Sequence, residues 1–216
     1  MSMICYLLRL SPNLIAQIGN DAELLSGVTR SASEYVWNAR LKKLPPQNQG
    51  AQERKRAEFQ AGLAQMPQFA EQMQAAEKAK ARTATLDVPN ALCLDKDWHI
   101  LHFLFTGDAG PIASPSSALL VGEELGDDAG YGPARWLNPA ATKAFAAFLD
   151  SQRIDALQDR VDLERMSRAP VYSLPDARET ESAGWIKDAV ALRFPELLDY
   201  VVRAAVADEG LLTWFS

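Results

Sequence analysis

The two histidines of this chain, His99 and His102, are the residues whose type and spacing most readily suggest chemistry. They lie three positions apart in the apolar stretch 92–107, LCLDKDWHILHFLFTG, and Asp95 precedes His99 by four positions. Residues three and four apart share one face of a helix, whereas on a strand the two histidines would point to opposite faces. Because histidine changes charge near neutral pH, a shared face would suit a ligand, a partner or a proton.

A structural role is the alternative for both histidines. An imidazole in an apolar helix commonly bonds to a backbone carbonyl or a carboxylate, because buried polar groups need partners. Metal binding has little support, since zinc needs three or four ligands and the chain has neither a third histidine nor a suitable pair of cysteines. We therefore predict no metal and no cofactor. The candidate ligand- or partner-binding residues of this stretch are Asp95, Trp98, His99 and His102.

Residues 95–107 are compatible with a helix or a buried strand, because a short apolar run does not distinguish the two. The ends of the stretch favour a helix. Asp95 is a suitable N-cap, Asp97 adds negative charge to the first turn, and Gly107 stands where a left-handed C-cap residue belongs. Apolar residues then occur all round the helix, which predicts burial on most sides.

A second informative patch is the run 130–139, GYGPARWLNP. Its glycines and prolines restrict the backbone around Tyr131 and Arg135, and an aromatic ring beside a guanidinium could bind an anion or a carboxylate. The alternative is an internal ion pair of Arg135, with Tyr131 as a packing residue. If the patch faces the histidine helix, His102 would act as acid or base and Arg135 would hold an anionic group.

The elements that must position these residues follow from hydrophobic pattern and capping. Ser11 and Pro12 open a helix, Asn138 and Pro139 open another, and the last strand is expected to pair with the first or a neighbour. The expected strands are 3–10, 134–137, 170–174 and 211–215, with 118–123 a strand or helical turn and 123–128 a solvated turn. The expected helices are 140–149, 155–167 and 183–206, the last divided by Pro195.

Residues 47–83 differ in composition from the rest of the chain. Gln, Ala, Glu, Lys and Arg predominate, and Pro67 is expected to separate two helices. We predict a single α+β domain, 1–216, with a small mixed or antiparallel sheet packed against several helices and a helical insertion at 47–83. The insertion is either a solvated excursion or a partner-binding arm. The arm interpretation rests on a stripe formed by Leu63, Met66, Phe69 and Met73.

Composition limits the function classes. A net charge of -6 and a pI near 5.0 argue against nonspecific binding to nucleic acid, although a local basic patch stays open. No apolar run reaches the roughly 18 residues that a membrane helix needs. The chain shows neither a secretory signal pattern nor a disulfide framework, so we expect a cytoplasmic protein without membrane contact. There is no nucleophile elbow and no phosphate-binding glycine loop.

Three motifs together resemble the YfbM-like family of bacterial proteins: the Met-x-Met-Ile start, the LDKDWHILHFLFTG block, and GYGPARWLNP followed by a helix. The resemblance covers most of the chain outside 47–83. It implies a cytoplasmic α+β domain of unknown activity and brings no established catalytic residues. The positions that match the family motifs are Asp95, Lys96, Trp98, His102, Thr106, Gly107, Tyr131, Gly132, Pro133 and Arg135.

Three functional hypotheses remain open from the sequence. The first is a non-catalytic protein-binding domain, such as an immunity-type protein that neutralises a toxin. The second is a small-molecule-binding protein or an enzyme, with a pocket between the 95–107 helix and the 130–136 turn. The third is a plain structural or regulatory domain. No catalytic signature decides whether the chain is an enzyme.

Overall fold

A computed structural model describes residues 3–19, 21–83, 86, 91–126, 131–172, 174 and 182–216. The described residues form helices and strands in this order: β1 (Cys5–Leu10), α1 (Pro12–Ile18), α2 (Ala22–Lys42), α3 (Pro46–Ala64), α4 (Pro67–Thr83), β2 (Leu92–Asp95), α5 (Trp98–Thr106), β3 (Glu123–Leu125), β4 (Ala134–Leu137), α6 (Pro139–Asp150), α7 (Ile154–Asp159), α8 (Leu163–Arg168), α9 (Ser182–Val206) and β5 (Gly210–Phe215). The predicted α+β class is confirmed. No described helix is long and apolar enough to cross a membrane.

The sheet is antiparallel, with strand order β2-β1-β5-β4-β3. β5 lies at its centre and is buried along its whole length, as its apolar sequence GLLTWF requires. It pairs with β1 from Cys5 opposite Phe215 to Leu10 opposite Gly210. The predicted pairing of the first and last strands is therefore confirmed.

The long helix α9 contacts α5, α6, α7 and two strands of the sheet. Its buried stripe is Ile186, Val190, Phe194, Leu197, Val201 and Ala204. The prediction that Pro195 divides this helix is wrong. Pro195 and Ala191 are both exposed, so water can reach the carbonyl that proline leaves unpaired, and the helix continues through Pro195 with buried residues on both sides of it.

Several predicted boundaries also need correction. The stretch 155–167 forms two helices because Asp162 starts a new one, its carboxylate accepting the Arg165 N–H at 3.0 Å. The expected turn at 123–128 begins as the edge strand β3, since pairing with β4 satisfies its backbone while its acidic side chains stay exposed. Residues 127 and 128 lie outside the described residues.

The described residues of the expected strand 170–174 do not form a strand. The N–H of Tyr172 donates to the His99 ring instead of to a neighbouring strand, and residue 173 lies outside the described residues. Residues 114–120 fold as turns in which Leu120 N–H bonds to the Ser117 carbonyl at 2.9 Å. The helical-turn alternative for 118–123 is thus nearer to the structure than the strand.

The chain divides into two compact units, one of Met1–Ile15 with Leu92–Ser216 and one of Ala16–Ala91. In the second, which we call the helical unit, α2 packs on α4 and the two helices share ion pairs. Arg82 of α4 lies 2.5 Å from the Asp21 carboxylate that also caps α2, and Lys80 lies 2.5 Å from Glu34. The expected break between helices at Pro67 is confirmed. The boundary 47–83 for an inserted segment stays a prediction.

Gly27 allows α2 and α4 to approach closely. A Cβ at this position would lie 2.4 Å from the Ala79 carbonyl oxygen and 2.7 Å from Thr83 Cγ2. Neither neighbour is the far end of a flexible side chain, so the helices would have to separate. Gly62, exposed in the last turn of α3, has no atom within 4 Å of the same position.

We expect Gly27→Ala to lower the free energy of unfolding by about 1–3 kcal/mol, because overpacking outweighs the gain in helix propensity. The matched control Gly62→Ala should raise it by up to about 1 kcal/mol, because only propensity changes there. Urea unfolding followed by far-UV circular dichroism measures both. Equal changes in the two variants would contradict the packing described for α2 and α4.

Candidate functional site

Helix α5 is built from the apolar block that carries both histidines. Every residue from Trp98 to Phe105 is buried, as the apolar pattern around the helix predicts. Gly107 ends the helix in the left-handed conformation, with φ 75°, and its N–H bonds to the Phe103 carbonyl at 2.7 Å. The helical interpretation of the stretch is confirmed, and so is the C-cap.

The predicted N-cap is wrong by two residues. Asp97 occupies the N-cap position, and its side chain forms no cap hydrogen bond. Its carboxylate instead lies 3.0 Å from the Arg193 Nε of α9, in a half-buried ion pair. Asp95 ends β2 with φ 56°, opposite Cys5 of β1. Asp95 is therefore part of strand β2, and the helix begins only at Trp98.

His99 is bonded through both ring nitrogens. Its Nε2 lies 2.8 Å from the Ala109 carbonyl oxygen, and its Nδ1 lies 2.8 Å from the Tyr172 backbone nitrogen. A carbonyl can only accept and an N–H can only donate, so Nε2 carries the proton and Nδ1 is the acceptor. Both bonds fit a neutral ring. Burial lowers the pKa of His99 below its ordinary value, which favours that same neutral form.

His102 lies one helical turn further on and has no exposed surface. Its Nε2 donates to the Gly110 carbonyl oxygen at 2.9 Å. Nδ1 is buried and has no hydrogen-bond partner among the described residues. Burial is the main cause that lowers the pKa of His102, and the neighbouring His99, whose ring centroid is 6.1 Å away, lowers it further.

The two imidazoles together hold the loop that follows α5. They donate to the carbonyls of consecutive residues, Ala109 and Gly110, from consecutive turns of one helix face. The same loop is closed by the Asp108 carboxylate, which accepts the Gly110 N–H at 2.8 Å. The predicted shared face of the histidines exists, and what occupies it is backbone of the same chain.

Trp98 also has internal partners. Its indole N–H donates to the Met3 carbonyl at 3.3 Å, and its ring stacks on His99 at 4.5 Å between centroids. Phe215 of β5 lies 4.6 Å from the same ring. Trp98, His99 and His102 are therefore inside the hydrophobic core, and a ligand could reach His102 only if the loop after α5 opened.

Arg135 and Tyr131, the second part of the predicted site, are differently placed. Arg135 lies on β4 opposite Glu124 of β3, and its Nη2 is 3.4 Å from the Glu124 carboxylate. Its Nη1 donates to the Pro133 carbonyl at 3.5 Å. Tyr131 packs against the core as a partly buried residue. These contacts match the internal ion pair that the sequence left open as an alternative.

The described contacts do not join the two parts of the predicted site. Within the described residues no hydrogen bond, ion pair or ring contact links a histidine of α5 to Tyr131 or Arg135. Gly130, the first residue of the predicted turn, lies outside the described residues. Among the described residues, no three His, Cys, Asp or Glu side chains come together as a metal-ligand set.

A hollow that sequence reasoning missed lies at the C-terminal end of α5. Its volume is about 220 Å³. Arg160, which caps α7, donates to the Leu104 carbonyl at 3.0 Å, and Arg165 of α8 donates to the Gly107 carbonyl at 3.2 Å. The lining residues are Phe103, Leu104, Phe105, Thr106, Gly107, Arg160 and Arg165. The sequence offered only a weak signal, because both arginines belong to a highly charged stretch.

A family model described as a domain of unknown function, DUF1877, matches residues 1–214. The chain belongs to the DUF1877 family. The crystal structure of YfbM from Escherichia coli, a protein of unknown function, is similar to this DUF1877 chain with a TM-score of 0.57. That match covers 99% of this chain and 100% of YfbM at 17% sequence identity, so it shows the fold alone. No curated protein matches the chain.

The resemblance to YfbM-like proteins inferred from the sequence motifs is thereby confirmed. The similarity to the YfbM structure shows the fold, and membership of the DUF1877 family leaves the activity open. Of the motif positions, Trp98, His102 and Thr106 lie on α5, and Thr106 Oγ1 donates to the His102 carbonyl at 2.8 Å. In this DUF1877 member these motif positions are accounted for by the packing of α5 and its loop.

We expect His102→Leu to lower the free energy of unfolding by about 1–3 kcal/mol, because the partly buried Gly110 carbonyl loses its imidazole donor. His102→Gln keeps an N–H donor at a similar reach and should cost less. Urea unfolding at pH 7, with hydrogen exchange at the Gly110 and Ile112 amides, measures the effect on the fold and on the loop. A leucine variant as stable as the parent, with unchanged exchange, would show that the imidazole does not hold the loop.

Proposed function

We propose that this DUF1877 protein is a non-catalytic protein-binding domain and that its helical unit carries the contact surface. The observation that carries the proposal is α3, a 19-residue helix without a single buried residue among its described side chains. Such a helix gains little from packing within its own chain, although packing is what usually stabilises helices in proteins. A partner laid against α3 would supply that missing burial.

Several large apolar side chains of the helical unit are exposed. Phe59 is 67% exposed, Met66 is 47% exposed, and Tyr35 of α2 is 46% exposed. Large aromatic groups in water favour association, and aromatic residues and methionine are enriched at protein interfaces. The stripe predicted for the arm is described only in part, because nothing is described for the side chains of Phe69 and Met73.

An apolar hollow lies where α2 meets the start of α3. It has a volume of about 190 Å³ and would take one apolar side chain of a partner. The residues that line it are Trp37, Arg40, Leu41, Leu44 and Gln52. One wall is stiffened by Arg56, whose guanidinium lies 5.2 Å from the centroid of the Trp37 ring.

The charge around this hollow selects the chemistry of the partner. Residues 37–56, which we call the basic end, contain six basic residues and one acidic residue, in a chain of net charge -6. Lys42, Lys43, Arg54 and Lys55 are exposed there. Complementary charge speeds association and excludes wrong partners. We therefore propose a protein partner with an acidic surface that presents an apolar side chain to the hollow.

Toxin neutralisation by an immunity-type protein is the finer form of this proposal. It requires a toxin whose acidic surface docks on the basic end. The buried positions of Trp98, His99 and His102 support a contact surface elsewhere than on α5, although these residues were the sequence-based candidates for partner binding.

We expect a photo-crosslinking amino acid at position 59 of the full chain, expressed in its native host, to capture one protein in near-stoichiometric yield through an acidic segment. Trp185 of α9 is 47% exposed, so the same group at position 185 is a matched control that should capture none of it. Combining position 59 with Lys42→Gln, Arg54→Gln and Lys55→Gln should lower the yield about tenfold, because charge complementarity is lost.

The control for charge is the triple change Arg153→Gln, Arg168→Gln and Arg203→Gln, which removes the same charge from other exposed positions and should leave the yield unchanged. No adduct at position 59, or equal yields from the two triple variants, would overturn the proposed surface. If the captured protein does not arrest growth when it is expressed alone, the immunity-type form is overturned.

A further inference from the structure

We propose that the hollow at the C-terminal end of α5 is a binding site for a small oxyanion, either a carboxylate or a phosphate, held by Arg160 and Arg165. The site is independent of the surface proposed for partner binding.

The positive charge in the hollow is not balanced within the described part of the chain. Neither guanidinium lies within 4 Å of a carboxylate there. The end of α5 offers only the partial negative charge of its last carbonyls, equivalent to about half an elementary charge. Two full positive charges exceed the partial charge of the helix end. Both arginines are exposed, so an anion that enters the hollow would replace water around the guanidiniums.

Three of the acidic residues near this site in sequence are engaged elsewhere. Asp162 accepts the backbone N–H of Arg165 at the start of α8, and Glu164 pairs with Arg168. Asp108 accepts the Gly110 N–H inside the loop. Each carboxylate has its own structural contact, so these side chains do not fill the hollow as internal counter-ions.

The guanidiniums are positioned and still have donors to spare. Each arginine carries five N–H groups, and the bonds to Leu104, Gly107 and Gln152 use at most three of the ten. Arg165 is further fixed by the Phe103 ring, whose centroid lies 5.5 Å from its Cζ. Arginine recognises carboxylate and phosphate through paired N–H groups, so two arginines at one hollow suit one oxyanion.

The size of the hollow limits the ligand. A volume of about 220 Å³ is below the roughly 300 Å³ at which sites for drug-sized molecules begin. A small carboxylate or a phosphate group fits, and Phe103 and Phe105 offer an apolar wall to a short carbon chain. The ligand class is therefore a small anionic metabolite or an anionic group on a larger one.

The test is titration of the full chain with inorganic phosphate and, separately, with succinate, at ionic strength kept constant with sodium chloride. Calorimetry gives the affinity, and ¹H–¹⁵N spectra locate the site. We expect saturable binding of at least one probe, with shifts at the Gly107 amide and the Arg160 and Arg165 Nε–H signals. Binding of phosphate alone or of succinate alone identifies the oxyanion.

The double variant Arg160→Gln, Arg165→Gln should weaken binding at least tenfold. Arg168→Gln, on the same helix as Arg165 but paired with Glu164, is the matched control and should bind like the parent. If the double variant does not fold, Arg165→Lys should weaken binding while retaining the charge, because lysine lacks the paired donors. No saturable binding up to about 20 mM, shifts confined to other residues, or equal affinity in parent and double variant would overturn the site.

Discussion

Helix α5 is enclosed by apolar side chains, so a polar group that it brings into the core costs free energy unless it finds a partner inside the protein. The two imidazoles find theirs through Nε2, which donates to the carbonyls of Ala109 and Gly110, whereas His102 Nδ1 has no hydrogen-bond partner among the described residues. At the end of the helix, the carbonyls of Leu104 and Gly107 accept hydrogen bonds from Arg160 and Arg165. The loop after α5 and the start of α8 are therefore positioned by what one buried helix requires.

Much of the fold could be predicted from local signals. The Ser11–Pro12 and Asn138–Pro139 pairs mark helix starts that the structure reproduces, with Asn138 accepting the Ala141 N–H at 2.9 Å. The failures arose where distant parts of the chain decide the outcome. Pro195 did not divide α9, because the core holds its buried stripe together, and β3 formed because β4 offered it a partner strand.

Of the candidate site, only the part that follows from helix geometry was predicted correctly. Spacing alone placed His99 and His102 on one face of a helix, and the structure agrees. Spacing could not reveal that the loop following the same helix folds back to occupy that face. Nor could it reveal that Arg135 pairs with Glu124 across two strands. The bonds from Arg160 to the Leu104 carbonyl and from Arg165 to the Gly107 carbonyl join residues 56 and 58 positions apart, which spacing within the helix does not predict.

The most direct test of this account is the protonation state of the two imidazoles, read from ¹⁵N chemical shifts of the ring nitrogens between pH 7.5 and 5.5. Since burial lowers the pKa of both rings, each should take up its second proton at a lower pH than an ordinary histidine does, and the neutral form of each should carry its proton on Nε2. A ring that takes up its second proton near the ordinary value of about 6.5, or that carries its proton on Nδ1, would contradict the structural role assigned to the pair.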